Sequence, residues 1–398
     1  MELTAKQREA QEWARDFAER FIAPVALELD QNPESPARDV LIREAAKAGV
    51  LGMALPEPMG GSGLDPLEAV LVTEELAAAC AGCAVLIGAT ALGLSPILLS
   101  FDFEAIQRFV LPLAASWETG EPKLAALAAT EPEMGSDFIF GHPSAQSRTR
   151  VDRRDGGYVV NGTKIFISNG SLASLVTVFG TLDPTGSLRD HCICLAVPTD
   201  TPGFSVGQVF DKMGQRACPA AELVFDDVFV GDDHVIGQPG GGWLLNRLIM
   251  SVTRTPVGAI ALGIARSAYE KALEYAEARI QGGQAIVGHQ AMQLMLADMA
   301  IRVEAARGLV HESARSAANG APSLKLASMA KTFASDAAVA NALDAIQIMG
   351  GHGYIKDHGV EKLLRDAKLT QIYEGTNQIN RFEIMESVLA ERGTNLAP

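Results

Sequence analysis

One carboxylate near the C-terminus stands where it could do chemistry. Glu374 lies in the run Tyr373-Glu374-Gly375-Thr376, a predicted loop just before the last helix. Gly375 indicates an unusual backbone conformation, and the free N–H groups of the helix's first turn would face anything bound in front of it. A carboxylate whose pKa is raised in a desolvated pocket can serve as a general base. Because most loop glutamates are simply solvated, these features predict only a possible site.

The other candidate groups are weaker. The seven histidines show no HExxH or other paired spacing, so we expect no metal site. His289 opens a predicted helix and His352 lies in a turn that ends another, and both positions are typical of capping groups. Gly60, Gly61 and Gly63 follow no predicted strand, which argues against a dinucleotide fingerprint. The five cysteines do not form two CxxC pairs, and we expect reduced core thiols in a cytoplasmic protein.

Three compositional regimes divide the chain and predict domains over residues 1–118, 119–233 and 234–398. The first is rich in Ala, Leu and Glu at helical spacing. The second contains short β-forming runs near 175–179, 192–197, 204–209 and 222–230. Asn161-Gly162, between two β-rich arms, predicts a hairpin turn. Short strands without long intervening helices favour an antiparallel barrel or sandwich over a Rossmann sheet.

The third regime predicts four long helices, which short loops would join into a bundle. They are expected near 244–278, 290–318, 323–349 and 377–391. An apolar stripe on the second is typical of a core face; its members are Met292, Met295, Met299, Val303, Ala306 and Val310. Thr376 is predicted to cap the last helix. The buried face of that helix is predicted to consist of Ile379, Phe382, Met385 and Leu389.

Charge and hydropathy exclude some classes of protein. A formal net charge of −15 argues against a nucleic-acid partner, which requires a basic surface. The N-terminal residues alternate charge at a helical period without an apolar core, unlike a signal peptide. Residues 76–100 carry no charge and are long enough to span a bilayer. Their small residues and the Ser95-Pro96 pair favour two short helical pieces buried in protein instead, so we expect no membrane partner.

Several motifs, in order along most of the chain, resemble those of the FAD-dependent acyl-CoA dehydrogenases. Thr130-Glu131-Pro132 followed by Gly135-Ser136-Asp137 is similar to the family's TEPxxGSD signature. The other matching segments are 164–170, 213–216, 347–354, 365–367 and 372–378. The resemblance implies a mainly α fold with a central β-domain: an N-terminal helical domain, a middle antiparallel β-domain and a C-terminal four-helix bundle. It also implies a homotetramer, with FAD between the β-domain and the bundle.

The resemblance also assigns site residues. Phe166 replaces the family's frequent Trp beside the flavin ring, and Arg279 and Gln281 would meet the FAD of a partner subunit. The full cofactor-binding set is Leu127, Ala129, Thr130, Ser136, Phe166, Ser168, Arg279, Gln281, Gln347, Gly351, Thr376 and Gln378. The substrate-binding set is Ser136, Ser251, Arg254 and Gly375, with Arg254 making a polar contact to CoA. No metal is implied.

The implied reaction is α,β-dehydrogenation of an acyl-CoA thioester. Glu374 would remove the α-proton while a β-hydride passes to flavin N5, and electrons would then pass to an electron-transferring flavoprotein. Some relatives place the base on the first bundle helix, but the matching residue here is Thr253, which cannot do that work. Alternatives on the same fold are an acyl-CoA oxidase, an acyl-carrier-protein dehydrogenase or a thioester lyase. A flavin-free binding scaffold is the alternative from another class.

Three departures from the family's pattern leave the substrate open. Gly282-Gly283 replaces a Phe-Gly pair after Arg279. The segment 138–143 lengthens the chain after Asp137, and we interpret it as a surface loop rather than as part of the pocket mouth. Gly88 and Ala89 fall where acyl-pocket side chains are expected, which would leave room for a bulky, branched or cyclic acyl group. The absence of Arg from that stretch argues against a dicarboxylic substrate.

Overall fold

A computed structural model describes residues 3–142 and 145–394. The N-terminal region is helical, and local sequence signals explain where its main helices begin. The long helix α4 starts with Pro66 after Asp65, whose carboxylate accepts from the N–H groups of Leu67 and Glu68, both at 2.8 Å. The helices are α1 (Ala5–Phe17), α2 (Ala26–Gln31), α3 (Ala37–Lys47), α4 (Pro66–Leu99), α5 (Phe103–Ala105) and α6 (Leu111–Ala115).

Helix α4 contains the long uncharged segment. Its backbone leaves the helical region at Cys80 (φ −163°, ψ 113°), so two helical pieces are present as predicted, but the break is not at Pro96. Pro96 is tolerated inside the second piece, because the Ser95 hydroxyl donates to the Leu92 carbonyl, at 2.7 Å, that a backbone N–H at position 96 would have bonded. All five cysteines are buried and free, as expected.

The middle region is one mixed β-sheet, with two short helices between its strands. Its strand order is β6-β7-β3-β2-β4-β5-β8, with β1 pairing in parallel with β4, so the sheet is mostly but not wholly antiparallel. The strands are β1 (Leu124–Ala128), β2 (Arg150–Arg154), β3 (Gly157–Ser168), β4 (Ala173–Thr181), β5 (Cys192–Pro198), β6 (Phe204–Val209), β7 (Ala220–Gly231) and β8 (Val235–Ile236). The two short helices are α7 (Ser136–Phe140) and α8 (Leu188–His191).

The hairpin predicted at Asn161-Gly162 is wrong. Both residues lie within β3, and the turn is Asp155-Gly156 between β2 and β3. The Asn161 side chain bonds Asp227 on β7, where the register shifts by a bulge. Gly162 is needed for close packing rather than for a turn, because a Cβ there would meet the Thr149 backbone at 2.6 Å.

The C-terminal region contains the four predicted bundle helices, together with two shorter helices and a small hairpin. The helices are α9 (Gly242–Ala278), α10 (Gln290–Ala318), α11 (Leu324–Met349), α12 (Gly351–Tyr354), α13 (Val360–Thr370) and α14 (Asn377–Glu391). A small hairpin of β9 (Ile280–Gln281) and β10 (Gln284–Ala285) follows α9. The predicted core stripe of α10 is confirmed at Met299, Val303, Ala306 and Val310, while α13 was not predicted.

The buried face predicted for α14 is wrong. Phe382 and Met385 are 59% and 50% exposed, whereas the buried residues of this helix are Asn377, Asn380 and Glu383. The apolar residues do lie on one face of α14, but the opposite, polar face is turned inward and forms the hydrogen-bond network described below.

Ion pairs join the N-terminal region to the bundle. Arg266 on α9 contacts both Glu74 and Glu75 of α4 at 2.9 Å, and Arg307 on α10 contacts Glu74 at 2.9 Å. Helices α4 and α9 are long and apolar enough by composition to cross a membrane, but 72% and 78% of their most apolar windows are buried inside the protein. They are consistent with core helices, and together they enclose the space beside Glu374.

Candidate active site

Glu374 lies in a strained loop between α13 and α14. Its φ is 56° and that of Gly375 is 83°, so two successive residues adopt the left-handed conformation. This confirms the unusual backbone predicted at Gly375, where a Cβ would also approach the Arg254 guanidinium to 2.9 Å. Thr376 caps α14 as predicted, since its hydroxyl accepts from the Ile379 N–H. Non-glycine residues in this conformation cost about 1–2 kcal/mol, and such strain persists where the surroundings impose it.

Buried donors impose the conformation by holding the loop carbonyls. Arg254 Nε on α9 donates to the Glu374 carbonyl at 2.9 Å. Lys331 Nζ on α11 donates to the Gly375 carbonyl at 2.8 Å and to Asn377 Oδ1 at 2.9 Å. Asn380 Nδ2 also donates to the Gly375 carbonyl, at 2.8 Å. The polar inward face of α14 therefore has a function: it fixes the loop that carries Glu374.

The carboxylate itself is held by one hydroxyl. Thr253 Oγ1 donates to Glu374 Oε2 at 3.0 Å. Burial raises the pKa of Glu374, and the nearby Arg254 cation, the Thr253 hydrogen bond and the Lys331 cation oppose that rise. Burial, aided by the Arg254 cation, lowers the pKa of Lys331 to about 7. The site thus contains a partly buried carboxylate with a raised pKa, the property that a general base in a desolvated pocket requires.

A large apolar cavity opens beside this carboxylate. Its volume is about 460 Å³, and it lies between α4 and α9. Thr253 and Glu374 line it together with Gly88, Ala89 and Val257. Gly88 and Ala89 were predicted to border an acyl pocket on the strength of the resemblance, and the structure places both in this wall.

A second cavity, of about 120 Å³, adjoins Glu374 on the side of the β-domain. Five residues predicted to hold the flavin border it: Leu127, Ala129, Thr130, Phe166 and Ser168. The Phe166 ring is 58% exposed on a backbone with φ 59°, and it packs against Phe210 with ring centroids 4.8 Å apart. Within the described residues, both polar atoms of the buried Asn246 amide, in the same lining, have no partner.

These features fit a bound aromatic cofactor with polar groups. A left-handed aromatic residue held out to solvent offers a stacking face, and an unpartnered buried amide offers a donor and an acceptor. Beneath the cavity, Lys164 Nζ donates to the Ala129 carbonyl at 2.9 Å and to Glu131 Oε1 at 2.8 Å. Both side chains of that ion pair are fully buried. The loop that borders the cavity is therefore rigidly supported.

The remaining predicted residues fall in two places. Ser136 and Thr376 meet near Glu374, where the Thr376 N–H donates to Ser136 Oγ at 3.3 Å. Gln378 is exposed in the first turn of α14. Arg279, Gln281, Gln347 and Gly351 lie instead on the outer end of the bundle and are exposed. Their predicted contact with the FAD of a partner subunit stays a prediction.

Ser251 and Arg254, both predicted to contact CoA, are buried on α9. The Ser251 hydroxyl donates to the Leu248 carbonyl at 2.6 Å. Arg254 is 0% exposed and pairs with the buried Glu383, besides its bond to the Glu374 carbonyl. These contacts support a positioning role for Arg254 behind the loop, and the predicted contacts with CoA stay predictions.

Two of the sequence departures have structural explanations. The interpretation of 138–143 as a surface loop is wrong for its first residues: Phe138 is buried, and Ile139 lines the smaller cavity with it. Pro143 lies outside the described residues. Gly282 and Gly283 have φ of 65° and 85° and form the two-residue turn between β9 and β10, a position that demands left-handed residues.

Comparison with known proteins agrees with the fold. The sequence models of the N-terminal, middle and C-terminal domains of acyl-CoA dehydrogenases match residues 4–118, 126–228 and 240–389. An acyl-CoA dehydrogenase of Bacillus subtilis (strain 168) is 40% identical over 390 residues, covering 98% of this chain and 99% of the relative. The chain belongs to the acyl-CoA dehydrogenase family.

Other members of the family are similarly close. A cyclohex-1-ene-1-carbonyl-CoA dehydrogenase of Syntrophus aciditrophicus (strain SB) is 38% identical, covering 98% of this chain and 91% of the relative. The solved structure of butyryl-CoA dehydrogenase from Megasphaera elsdenii superposes with a TM-score of 0.90 at 35% identity, covering 98% and 99% of the two chains. The predicted family, its mainly α fold with a central β-domain, and FAD as the family's cofactor are confirmed. The protein is a flavin-dependent oxidoreductase acting on CH–CH bonds.

Sequence reasoning missed three residues of the site. Lys331, Asn246 and Glu383 occur within helical runs, where a polar residue is usually solvent-facing. A lysine in the apolar run of α11 is the one signal that could have been noticed. Thr253 was excluded as a base, correctly in chemical terms, but its hydrogen bond to Glu374 requires knowledge of how α9 packs against the loop.

Proposed function

We propose that the protein catalyses α,β-dehydrogenation of an acyl-CoA thioester with Glu374 as the α-proton acceptor. The observation that supports this role is the position of Glu374 in the lining of both cavities. A proton taken by this carboxylate comes from a substrate that lies between the apolar cavity and the flavin-side cavity. FAD, bound by the residues around Thr130 and Phe166, supplies the hydride acceptor.

The chain's own groups prepare Glu374 for this step. Burial raises the pKa of Glu374, and the Arg254 and Lys331 cations oppose that rise, which favours the ionised form that a base requires. Thr253 fixes one carboxylate oxygen, which leaves the other to face the substrate. Orientation of this kind lowers the entropic part of the barrier.

The same loop provides charge stabilisation. Its carbonyls are bonded to buried donors on the bundle side, while, within the described residues, the N–H groups of Glu374 and Gly375 donate to no protein acceptor. An enolate oxygen that develops on the thioester is stabilised by such preorganised N–H donors. The left-handed conformation of Glu374 therefore serves both the base and the oxyanion.

The partners and organisation follow the resemblance. A chain that is 36% identical, with a TM-score of 0.91, occurs in a solved structure of the electron transferring flavoprotein of Acidaminococcus fermentans. This supports an electron-transferring flavoprotein as the electron acceptor of the present protein. The exposed apolar face of α14, with Phe382 and Met385, supports an interface between subunits, as the homotetramer implied by the resemblance requires. Domains over 1–118, 119–233 and 234–398, and a cytoplasmic location, belong to the same proposal.

The test is anaerobic flavin bleaching by substrate. Wild-type protein is expected to lose its flavin absorbance when an acyl-CoA is added, and Glu374→Gln to retain FAD but bleach at least about 10³-fold more slowly. Glu391→Gln, an exposed glutamate on α14, is the matched control and should behave as wild type. Fast bleaching by Glu374→Gln would refute the role of this residue. Protein that is colourless and cannot be reconstituted with FAD would refute the proposed function as a whole.

A further inference from the structure

The apolar cavity extends well beyond Glu374. On α4, Ala89 and Leu92 border both this cavity and the smaller one, and so lie at the end near Glu374. From Leu92 the lining continues along α4 to Leu99, a rise of about 10 Å at about 1.5 Å per residue. Past Leu99, Phe101 and Phe103 line the cavity while being 71% and 72% exposed. The cavity is therefore elongated and reaches the protein surface.

The lining of this cavity suits hydrocarbon alone. Glu374 carries the only charge among the described residues that line it. The hydroxyls of Thr73 and Ser95 donate to the carbonyls of Ala69 and Leu92, both at 2.7 Å, so neither offers a free donor. A carboxylate or hydroxyl at the far end of an acyl group would lose its hydration there without gaining a partner, which is costly.

The size of the cavity sets the length of the chain it takes. A water molecule, which is close in size to a methylene group, occupies about 30 Å³ of liquid. A cavity of about 460 Å³ therefore has room for on the order of ten or more such groups. Gly88 keeps it open, because a Cβ at this position would meet nothing within 4 Å. A four-carbon chain or a single ring would leave most of this apolar wall unfilled.

We propose that the enzyme acts on long, unfunctionalised acyl chains of roughly 12–16 carbons, with Gly88 as the residue that determines chain length. This inference rests on the proposed function. The distal end of the chain passes Gly88 and lies toward the rim formed by Phe101 and Phe103. Apolar contact along the chain stabilises binding with each added methylene until the rim is reached.

The test compares straight-chain acyl-CoAs of four to twenty carbons, and a cyclohexane-carbonyl-CoA, on the FAD-loaded enzyme. We expect kcat/KM to be at least tenfold higher for the 14-carbon than for the 4-carbon substrate. In Gly88→Leu the ratio of these two values should fall at least tenfold. Gly308→Leu, a helical glycine on the surface with nothing within 4 Å of its Cβ position, is the control and should keep the wild-type ratio.

Binding provides a second measurement that does not depend on turnover. Calorimetry with two unreactive thioethers, tetradecyl-CoA and butyl-CoA, should show the longer one binding at least tenfold more tightly to wild type. Highest kcat/KM on four- to six-carbon or single-ring substrates, or equal binding of the two thioethers, would overturn the proposal. If no acyl-CoA bleaches the flavin, the proposed function fails, while the thioether comparison still decides whether this cavity takes long chains.

Discussion

The two loops that flank the active site are each held by a fully buried lysine, but the lysines have different electrical surroundings. On the β-domain side, Lys164 bonds the Ala129 carbonyl and pairs with the carboxylate of Glu131. On the bundle side, Lys331 bonds the Gly375 carbonyl and the Asn377 amide oxygen, and no carboxylate of the described residues is in hydrogen-bond contact with it. Burial lowers the pKa of both lysines, that of Lys331 to about 7.

This difference in surroundings indicates that the two lysines have different roles. The carboxylate of Glu131 balances the charge of Lys164. The Lys164 cation in turn holds the pKa of Glu131 below its ordinary value, although burial would raise it. The charged groups that face Lys331 are Arg254, Glu374, Asp336 and Arg381. Its charge therefore acts on the proposed base. We infer that Lys164 mainly stabilises the fold, while Lys331 also adjusts the chemistry.

The largest expected effect is on stability, at Lys164. Lys164→Met leaves the Glu131 carboxylate buried without its cation, so the free energy of unfolding should fall by about 3–5 kcal/mol. Denaturant unfolding of the FAD-loaded enzyme measures this. The double variant Lys164→Met/Glu131→Gln should recover much of the loss, because no uncompensated charge remains. A single variant as stable as the double variant would contradict the structural role of the pair.

Lys331→Met should show that Lys331 affects the catalytic rate in addition to supporting the fold. Losing the donor to the Gly375 carbonyl should cost about 1–3 kcal/mol of stability, less than at Lys164. We expect kcat to fall about 10–100-fold, as for the loss of an orienting group. The Lys331 cation lowers the pKa of Glu374, so the acid limb of the kcat/KM profile should move to higher pH. Lys325→Met, on the same helix, should leave that limb in place; a limb that stays in place in Lys331→Met would refute the tuning role.

The fold was predictable in the regions where apolar periodicity and composition are enough to determine the secondary structure. The three regimes, the strands after residue 173 and the long bundle helices follow from apolar spacing. Asn161-Gly162 misled because the same pair that makes a hairpin turn also suits a bulge, and only the neighbouring Thr149 and Asp227 decide between them. The inward face of α14 could not be predicted from its amphipathic pattern, since its partners lie on other helices.

The proposed site residues were predicted mainly from the order of the family's motifs along the chain, and only weakly from the physical chemistry of the residues themselves. Loop position and Gly375 made Glu374 only a possible base, and the surrounding motifs raised it to the proposed one. Arg254 was expected at CoA on the strength of the family resemblance alone. Its buried position depends on Glu383, 129 residues away in sequence. Contacts of that separation are tertiary facts that a local pattern does not contain.

A smaller effect is expected from the backbone of the bundle-side loop. Gly375→Ala places a Cβ on a residue with φ 83° and 2.9 Å from the Arg254 guanidinium. The strained conformation alone should cost about 1–2 kcal/mol, and the close contact should add to it and lower kcat. Gly120→Ala is the matched control, with φ 85° and nothing within 4 Å. Equal loss of unfolding free energy in both variants would show that Arg254 does not constrain this loop.

The smallest expected effect is on the pH dependence of stability at Glu374. Burial raises the pKa of Glu374 above its ordinary value of 4.5, so the folded protein binds more protons than the unfolded chain in the window between these two values. The contribution of this group to stability is therefore full below pH 4.5 and is lost as the pH rises through the folded pKa. Glu374→Gln cannot ionise and avoids that loss. The Tm of Glu374→Gln should match wild type at the acid end and exceed it by about 1–3 °C at pH 8. If the Tm of Glu374→Gln at pH 8 is below that of wild type, Arg254, Lys331 and Thr253 stabilise the Glu374 carboxylate by more than its burial costs. Glu374 would then resemble Glu131, whose charge is balanced by Lys164.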